Sequence, residues 1–347
     1  MSQCEARQTA FCSRSESRPN NDDLYPGKDL TMPDYLLSAR RVRKQKFDAE
    51  PGRTRFLKVP ANRLPTPAHA IEQASWVDAV MAEGHTHTNH STGNDCGDIA
   101  VLVHGYSNDA KSIMWRHRRL KADLADAGFK GVLVSFDWPS DDRALNYLED
   151  RSDAKITALR LVDDCISLLA SAQFRGCEYN VHVIAHSTGA YIVREGFDDA
   201  DDRPGIAATN WTVSQVCFVG ADVSSRSMSA SDSKSSSIYR HCTRLTNYQN
   251  PYDSVLKLSN IKRVGVAPRV GRIGLPPDHL DKAVNVNCGA YFAGKDRKKA
   301  SFIGTYNHSW YFGDKVFARD LAATLTGDVD RFFIPGRHRD EHGALHL

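Results

Sequence analysis

The sequence predicts an α/β protein, a single doubly wound, mainly parallel sheet with helices on both faces. Three observations predict it. Strand-like apolar runs and helical patterns alternate through the middle of the 347-residue chain. One run, DIAVLVHG, is continuously apolar rather than alternating, as in strands buried on both faces, and a second, NVHVIAHS, reads as another buried strand. The second passes straight into a helical pattern at a serine, at the carboxyl end of the strand, where open α/β sheets collect their reactive groups.

Taken in order, residues 1–31 are rich in Ser, Asn, Asp and Arg and hold few large apolar side chains, so a disordered N-terminal tail is expected. Met32, just before the first apolar segment, is a candidate alternative start. One domain is expected over 32–335, then a polar C-terminal tail over 336–347. DYLLSA and RFLKVP predict two short strands; the basic run Arg40, Arg41, Arg43, Lys44 and Lys46 between them reads as a solvated strand end and loop. A helix is predicted around Ile71–Met81, then a polar loop, HTHTNHSTGNDCG. His85, His87 and His90 within it lack a Cys or carboxylate at ligand spacing, so the loop is read as solvated rather than metal-binding. After the DIAVLVHG strand comes a helix over Ala110–Ala127 closed by Gly128, then the strand and turn GVLVSFDWPS. A helix over Ala154–Phe174 has apolar residues near helical spacing, NVHVIAHS is the next strand, and a helix opens at the serine itself. Strands follow at SQVCFVGAD, TRLTNY and AVNVN, and a last helix at Asp314–Leu325. The Ser-rich stretch Ser224–Ser237 reads as a mobile surface loop or a partial lid.

Composition narrows the function classes. A net charge of +3 with no concentrated basic face does not favour a nucleic-acid partner. No apolar run reaches the ~18 residues of a membrane helix and the N-terminus has no secretory apolar core, so a cytoplasmic protein without a membrane partner is expected. The eight cysteines form no CxxC pair, and several fall inside apolar patterns, which suits reduced, mostly buried thiols.

The chemistry is carried by VHVIAHSTGAYIV, an apolar strand turning at His186-Ser187-Thr188-Gly189 into a helix. In a GxSxG elbow the small flanking residues let a tight turn lift the serine hydroxyl clear of the backbone; here the first glycine is Ala185, still small. A serine hydroxyl needs a base held by a carboxylate, and this arrangement predicts the chain order Ser, acid, His. Asp253 follows the TRLTNY strand, and His308 lies in the loop between the AVNVN strand and the last helix. Asp222, after the SQVCFVGAD strand, is the rival acid; Asp253 is preferred because its strand is nearer the histidine. The oxyanion donors are expected to be the backbone N–H of Thr188 and of Tyr106, the latter following the sharp exit at Gly105. Trp138 and Trp310-Tyr311-Phe312 could line a pocket or pack the core.

VLVHGYSN, FDWPS with Tyr147 and Asp150 beyond it, VIAHSTG, GADVS, NYQNPYDSVLKLS, RVGRIG and NHSWYF, in this order over about residues 99–312, resemble the α/β-hydrolase superfamily and, within it, the domain-of-unknown-function 900 family of bacterial serine hydrolases. The family's usual AHSMG has Thr188 in place of Met, and the segment after Asp222 is unusually Ser-rich. The resemblance implies an α/β-hydrolase fold with Ser187 as nucleophile, Asp253 as acid and His308 as base. The expected function is cleavage of small-molecule carboxylic esters through an acyl-enzyme, with no metal or organic cofactor. A lipase, amidase or thioesterase using the same residues is one alternative, and a non-catalytic α/β-hydrolase-fold binding protein the other.

Overall fold

Among the described residues the strands assemble into one twelve-stranded sheet. The computed structural model describes residues 32–106, 109–140, 151–171, 177–207, 211–262 and 268–347. The expected tail at 1–31, the cue residues Ser107, Asn108, Tyr147 and Asp150, and the predicted helix end at Phe174 lie outside them.

The strands are β1 (Asp34–Arg43), β2 (Lys46–Val59), β3 (Ala70–Ile71), β4 (His85–Thr88), β5 (Asp95–Val103), β6 (Val132–Asp137), β7 (Cys177–His186), β8 (Val213–Val219), β9 (Cys242–Gln249), β10 (Ala283–Asn287), β11 (His338–Arg339) and β12 (Leu345–His346). Across the sheet they run β11-β12-β10-β9-β8-β7-β5-β6-β1-β2-β3. Along this path every pair from β12 to β1 is parallel, while β2 and β3 at one edge and β11 at the other join antiparallel, and β4, off the path, pairs antiparallel with the start of β5. This is a doubly wound α/β sheet. The helices are α1 (Gln73–Gly84), α2 (Ala110–Asp126), α3 (Arg151–Leu161), α4 (Ser167–Ser171), α5 (Thr188–Asp201), α6 (Pro204–Ala207), α7 (Ser233–Arg240), α8 (Ser254–Lys262), α9 (Val270–Ile273), α10 (Gly289–Ala293), α11 (Tyr306–Ser309) and α12 (Lys315–Thr326). Strand periodicity divides the core between the two faces. Ile99, Val101 and Val103 of β5 join Trp76 of α1, Leu161 of α3 and Ile192 and Phe197 of α5, while Ala100 and Leu102 join Leu120 and Leu124 of α2 and Phe317 and Leu321 of α12. Among the described residues no helix is long and apolar enough to cross a membrane. Cys96, Cys165, Cys217, Cys242 and Cys288 are buried free thiols.

Several local expectations are corrected. The first two strands are far longer than their apolar cores and meet in a hairpin at Lys44 and Gln45, both at positive φ (47° and 59°). Arg40 is not part of a solvated basic face; its guanidinium turns inward to Asp137, Nε to Oδ1 2.8 Å. The polar loop after α1 begins as β4, which carries His85 and His87 and pairs with β5. The long helix after β6 is interrupted by a π-helical turn over Val162–Ile166. Ser224–Ser237 is neither a loose loop nor a lid: it forms a 3₁₀ turn at Arg226–Met228 and enters α7, with Met228, Ser235 and Ser237 buried. Its hydroxyls satisfy themselves on backbone carbonyls, Ser225 on Gly274 (2.9 Å) and Ser237 on Phe197, so a polar composition still packs. The segment 336–347 is not a free tail; β12 adds to β10 in parallel and Leu345 and Leu347 are buried.

Candidate active site

β7 ends at His186 and α5 begins at Thr188, so Ser187 alone makes the turn, at φ 55° and ψ −124°. A side chain held there costs about 1–3 kcal/mol and persists only where surrounding bonds over-determine it. Three do: Ser187 N–H donates to the Val219 carbonyl (3.1 Å), and the Ser187 carbonyl accepts the N–H of Ala190 (3.1 Å) and of Asp222 (2.9 Å). Close approach explains the glycines. A Cβ on Gly189 would lie 2.3 Å from the Val103 carbonyl oxygen, and one on Gly105 would lie 2.7 Å from Ser187 Cβ. Hydrogen at both positions lets α5 start against the end of β5 and lets the Gly105–Tyr106 segment lie against Ser187. Ala185, where the usual motif has glycine, is buried in β7 between Val103 of β5 and Phe218 of β8.

The structure brings Ser187, His308 and Asp253 together. His308 Nε2 lies 2.8 Å from Ser187 Oγ, and His308 Nδ1 lies 2.6 Å from Asp253 Oδ2. His308 is carried on the short helix α11 rather than in an open loop. Asp253 is fully buried and its other oxygen accepts the Leu256 N–H at 2.9 Å, so the carboxylate also caps α8, whose amino end favours negative charge. Asn250 Nδ2 donates to the Asn307 carbonyl (2.9 Å) and Asn307 Nδ2 to the Tyr252 carbonyl (2.9 Å), tying the turn before His308 to the turn before Asp253. Asp222 has a different partner, Arg269, with Nε 2.8 Å from Oδ1. Thr188 is the first residue of α5, so its N–H has no acceptor within the helix, and Tyr106 follows Gly105 on the segment facing Ser187.

Sequence reasoning missed two histidine environments beside this relay. His186 is buried, its Nε2–H donates to the His308 carbonyl (3.0 Å), and its ring centroid stands 4.8 Å from that of His308. Burial, followed by the nearby His308 and Arg116, holds it well below the ordinary imidazole range, so it is neutral. Its place directly before the candidate nucleophile was the available signal. The other is a buried cluster joining β5, β6 and β1. His104 Nε2 lies 3.3 Å from Asp137 Oδ1, Ser38 Oγ donates to Asp137 Oδ2 (2.7 Å), and Trp138 Nε1 donates to the His104 carbonyl (2.7 Å). Burial alone would raise the Asp137 carboxyl, but the Arg40 charge and the His104 bond outweigh it and bring it to about 2. Burial holds His104 below its usual range despite Asp137. The cluster fixes where β5 ends and therefore where Gly105 and Tyr106 begin. Trp138, Trp310, Tyr311 and Phe312 are at most 2% exposed, which makes them core packing.

Among the described residues no group of three or more His, Cys, Asp or Glu is arranged to hold a metal. The model of the family described as "Alpha/beta hydrolase of unknown function (DUF900)" matches residues 81–287, from the end of α1 through β10. The chain belongs to the DUF900 family of alpha/beta hydrolases. The DUF900 match contains Ser187 and Asp253, and His308 stands just beyond it. No curated protein matches the chain. A solved structure described as an extracellular alpha/beta-hydrolase from a Paenibacillus species, sharing structural and functional homology with tobacco salicylic acid binding protein 2, is similar at 12% identity. That match covers 55% of this chain and 77% of that one, with a TM-score of 0.20.

Proposed function

We propose that this DUF900 hydrolase cleaves carboxylic esters through an acyl-enzyme on Ser187. The observation that carries the reading is the continuous relay of Ser187 Oγ, His308 and Asp253, at 2.8 and 2.6 Å, on a strained turn at the end of a parallel strand. A serine hydroxyl is a weak nucleophile at neutral pH unless a base takes its proton during attack. In this reading Ser187 Oγ bonds to the carbonyl carbon while its proton passes to His308 Nε2. The tetrahedral intermediate then expels the alcohol, whose oxygen takes that proton. Water repeats the sequence on the acyl-enzyme, releasing the acid and restoring the serine. Asp253 accepts from His308 Nδ1–H, which leaves Nε2 as the acceptor facing the serine and stabilises the imidazolium. The N–H groups of Tyr106 and Thr188 hold the oxyanion.

A fluorophosphonate probe and Ser187→Ala test this together. The probe is expected to label Ser187 in the folded parent and to leave the variant unlabelled. Turnover of p-nitrophenyl esters is expected to fall by about 10⁶ with no change in melting temperature. Labelling at another residue, or turnover within about tenfold of the parent, would remove Ser187 as nucleophile.

A further inference from the structure

β9 and β10 carry four side-chain carboxamides on one face of the sheet. In the parallel register Asn247 pairs with Asn285 and Gln249 with Asn287, and the two-residue period places all four on the same side. One step toward the amino ends the same face is apolar, with Leu245 beside Ala283, both buried. Amides in such a position cost free energy unless they are paired, so where their hydrogen bonds go has a bearing on function. Asn247 Nδ2 donates to Asn285 Oδ1 (2.9 Å), which also accepts the Leu275 N–H (2.9 Å), and Asn287 Oδ1 accepts the Gly289 N–H (2.9 Å). Within the described residues these bonds leave the Nδ2 groups of Asn285 and Asn287 and the whole side-chain amide of Gln249 without a partner, and Gln249 Oε1 is itself buried.

Gln249, Asn285 and Asn287 line a cavity of about 570 Å³ at the outer edge of the sheet, within the size range of small-molecule sites. Phe332 and Leu345 supply apolar wall, and Ala344 lines it from an exposed position. The charged residues of the wall include Asp281 and Arg331, one of each sign. The Arg331 guanidinium is already held by the backbone carbonyls of Lys282 and Asp281.

We propose that this cavity binds a neutral, polyhydroxylated ligand of mono- or disaccharide size, held by the carboxamides of Gln249, Asn285 and Asn287. The amide N–H groups left over are donors without charge, which hydroxyl oxygens accept, and Asn287 Oδ1 keeps a second lone pair for a hydroxyl proton. An anion would meet the Asp281 carboxylate on the wall and an Arg331 already engaged by carbonyls, and an aliphatic ligand would strand the amide N–H groups. The apolar wall suits the C–H face of a sugar ring. None of these residues belongs to the Ser187 relay, so the proposal stands apart from the ester-cleavage reading.

The test titrates the full chain by calorimetry with D-glucose, maltose and myo-inositol, and with inorganic phosphate and 1-hexanol as the charged and the aliphatic comparison. Gln249→Met keeps length and packing and removes no hydrogen bond within the described residues; Ala344→Trp fills the cavity from its exposed wall. At least one polyol is expected to bind saturably, and each folded variant is expected to weaken that binding at least about tenfold, the scale of a lost hydrogen bond to a positioned ligand. Absence of saturable polyol binding overturns the proposal. So does saturation by phosphate or hexanol alone, or polyol binding that survives either folded substitution.

Discussion

Asp253 and Asp222 both follow sheet strands, and what each carboxylate holds determines how its substitution should fail. Asp253→Asn can keep an oxygen on the Leu256 N–H and so retain the α8 cap, but its amide N–H₂ would face His308 Nδ1. The imidazole is then driven to the tautomer whose Nε2–H points at Ser187, and ester turnover is expected to fall by about 10⁴ with little loss of stability. Asp222→Asn should do the reverse. It leaves the Arg269 charge, whose side chain is 4% exposed, opposite a neutral amide, at a cost of about 3 kcal/mol in stability and with turnover per folded molecule nearly unchanged. Steady-state kinetics and urea unfolding of both variants check this, and a large kinetic loss confined to Asp222→Asn would make Asp222 the acid. The meeting of Ser187, Asp253 and His308 was legible in the sequence because each lies at or beyond the end of a recognisable strand, in the chain order this arrangement requires. The His104–Asp137–Arg40 cluster was not. It depends on β6 lying between β5 and β1, a neighbourhood that no local pattern encodes.

Among the elements, the terminal segment offers the sharpest test. The Arg337 side chain is fully buried and holds the region after α12 in place. Nε and Nη2 each donate to Asp320 at 2.7 Å, Nη2 reaches Thr324 Oγ1 (2.7 Å), and Nη1 reaches the Arg331 carbonyl (2.7 Å). Arg337→Ala leaves the Asp320 carboxylate buried without its cation, so a loss of about 3–5 kcal/mol is expected. Deleting 336–347 should cost at least as much, because it also uncovers the edge of β10. Denaturant midpoints for the two variants decide this, and wild-type midpoints would mean the segment does not dock. The segment read as a tail because two-residue strands such as β11 and β12 carry no periodicity. Ser224–Ser237 read as a loop because composition cannot show that a serine hydroxyl has found a carbonyl. By contrast α2 and α12, whose apolar faces repeat over several turns, were legible to within about a residue or two at each end.

For the molecule as a whole, His186 and His104 set an acid limit. Burial holds both His186 and His104 below the ordinary imidazole range, so the folded chain leaves them neutral where the unfolded chain takes up protons near pH 6.5. The unfolded state then binds more protons, and stability falls as pH drops below about 6.5, by about 1.4 kcal/mol per pH unit for each ring still neutral when folded. Asp137 acts lower down. Its folded value of about 2 lies beneath that of a free carboxyl, so its contribution is present above about pH 4 and lost as pH falls toward 2. Urea unfolding at pH 7.5, 6 and 5 measures the first window, and a flat profile there would contradict neutral buried rings. The parallel order of β7, β8 and β9 has a further consequence. Ser187 leaves β7 and Asp253 follows β9, so one intervening strand separates them by two sheet spacings, about 10 Å of backbone. That width is set by ladder hydrogen bonds common to the whole sheet, as a machinist's gauge block sets a gap, and His308 has only to lower a ring of fixed size into it. The peripheral connections of such a chain can therefore lengthen, shorten or change composition while the tolerance at its centre stays the same.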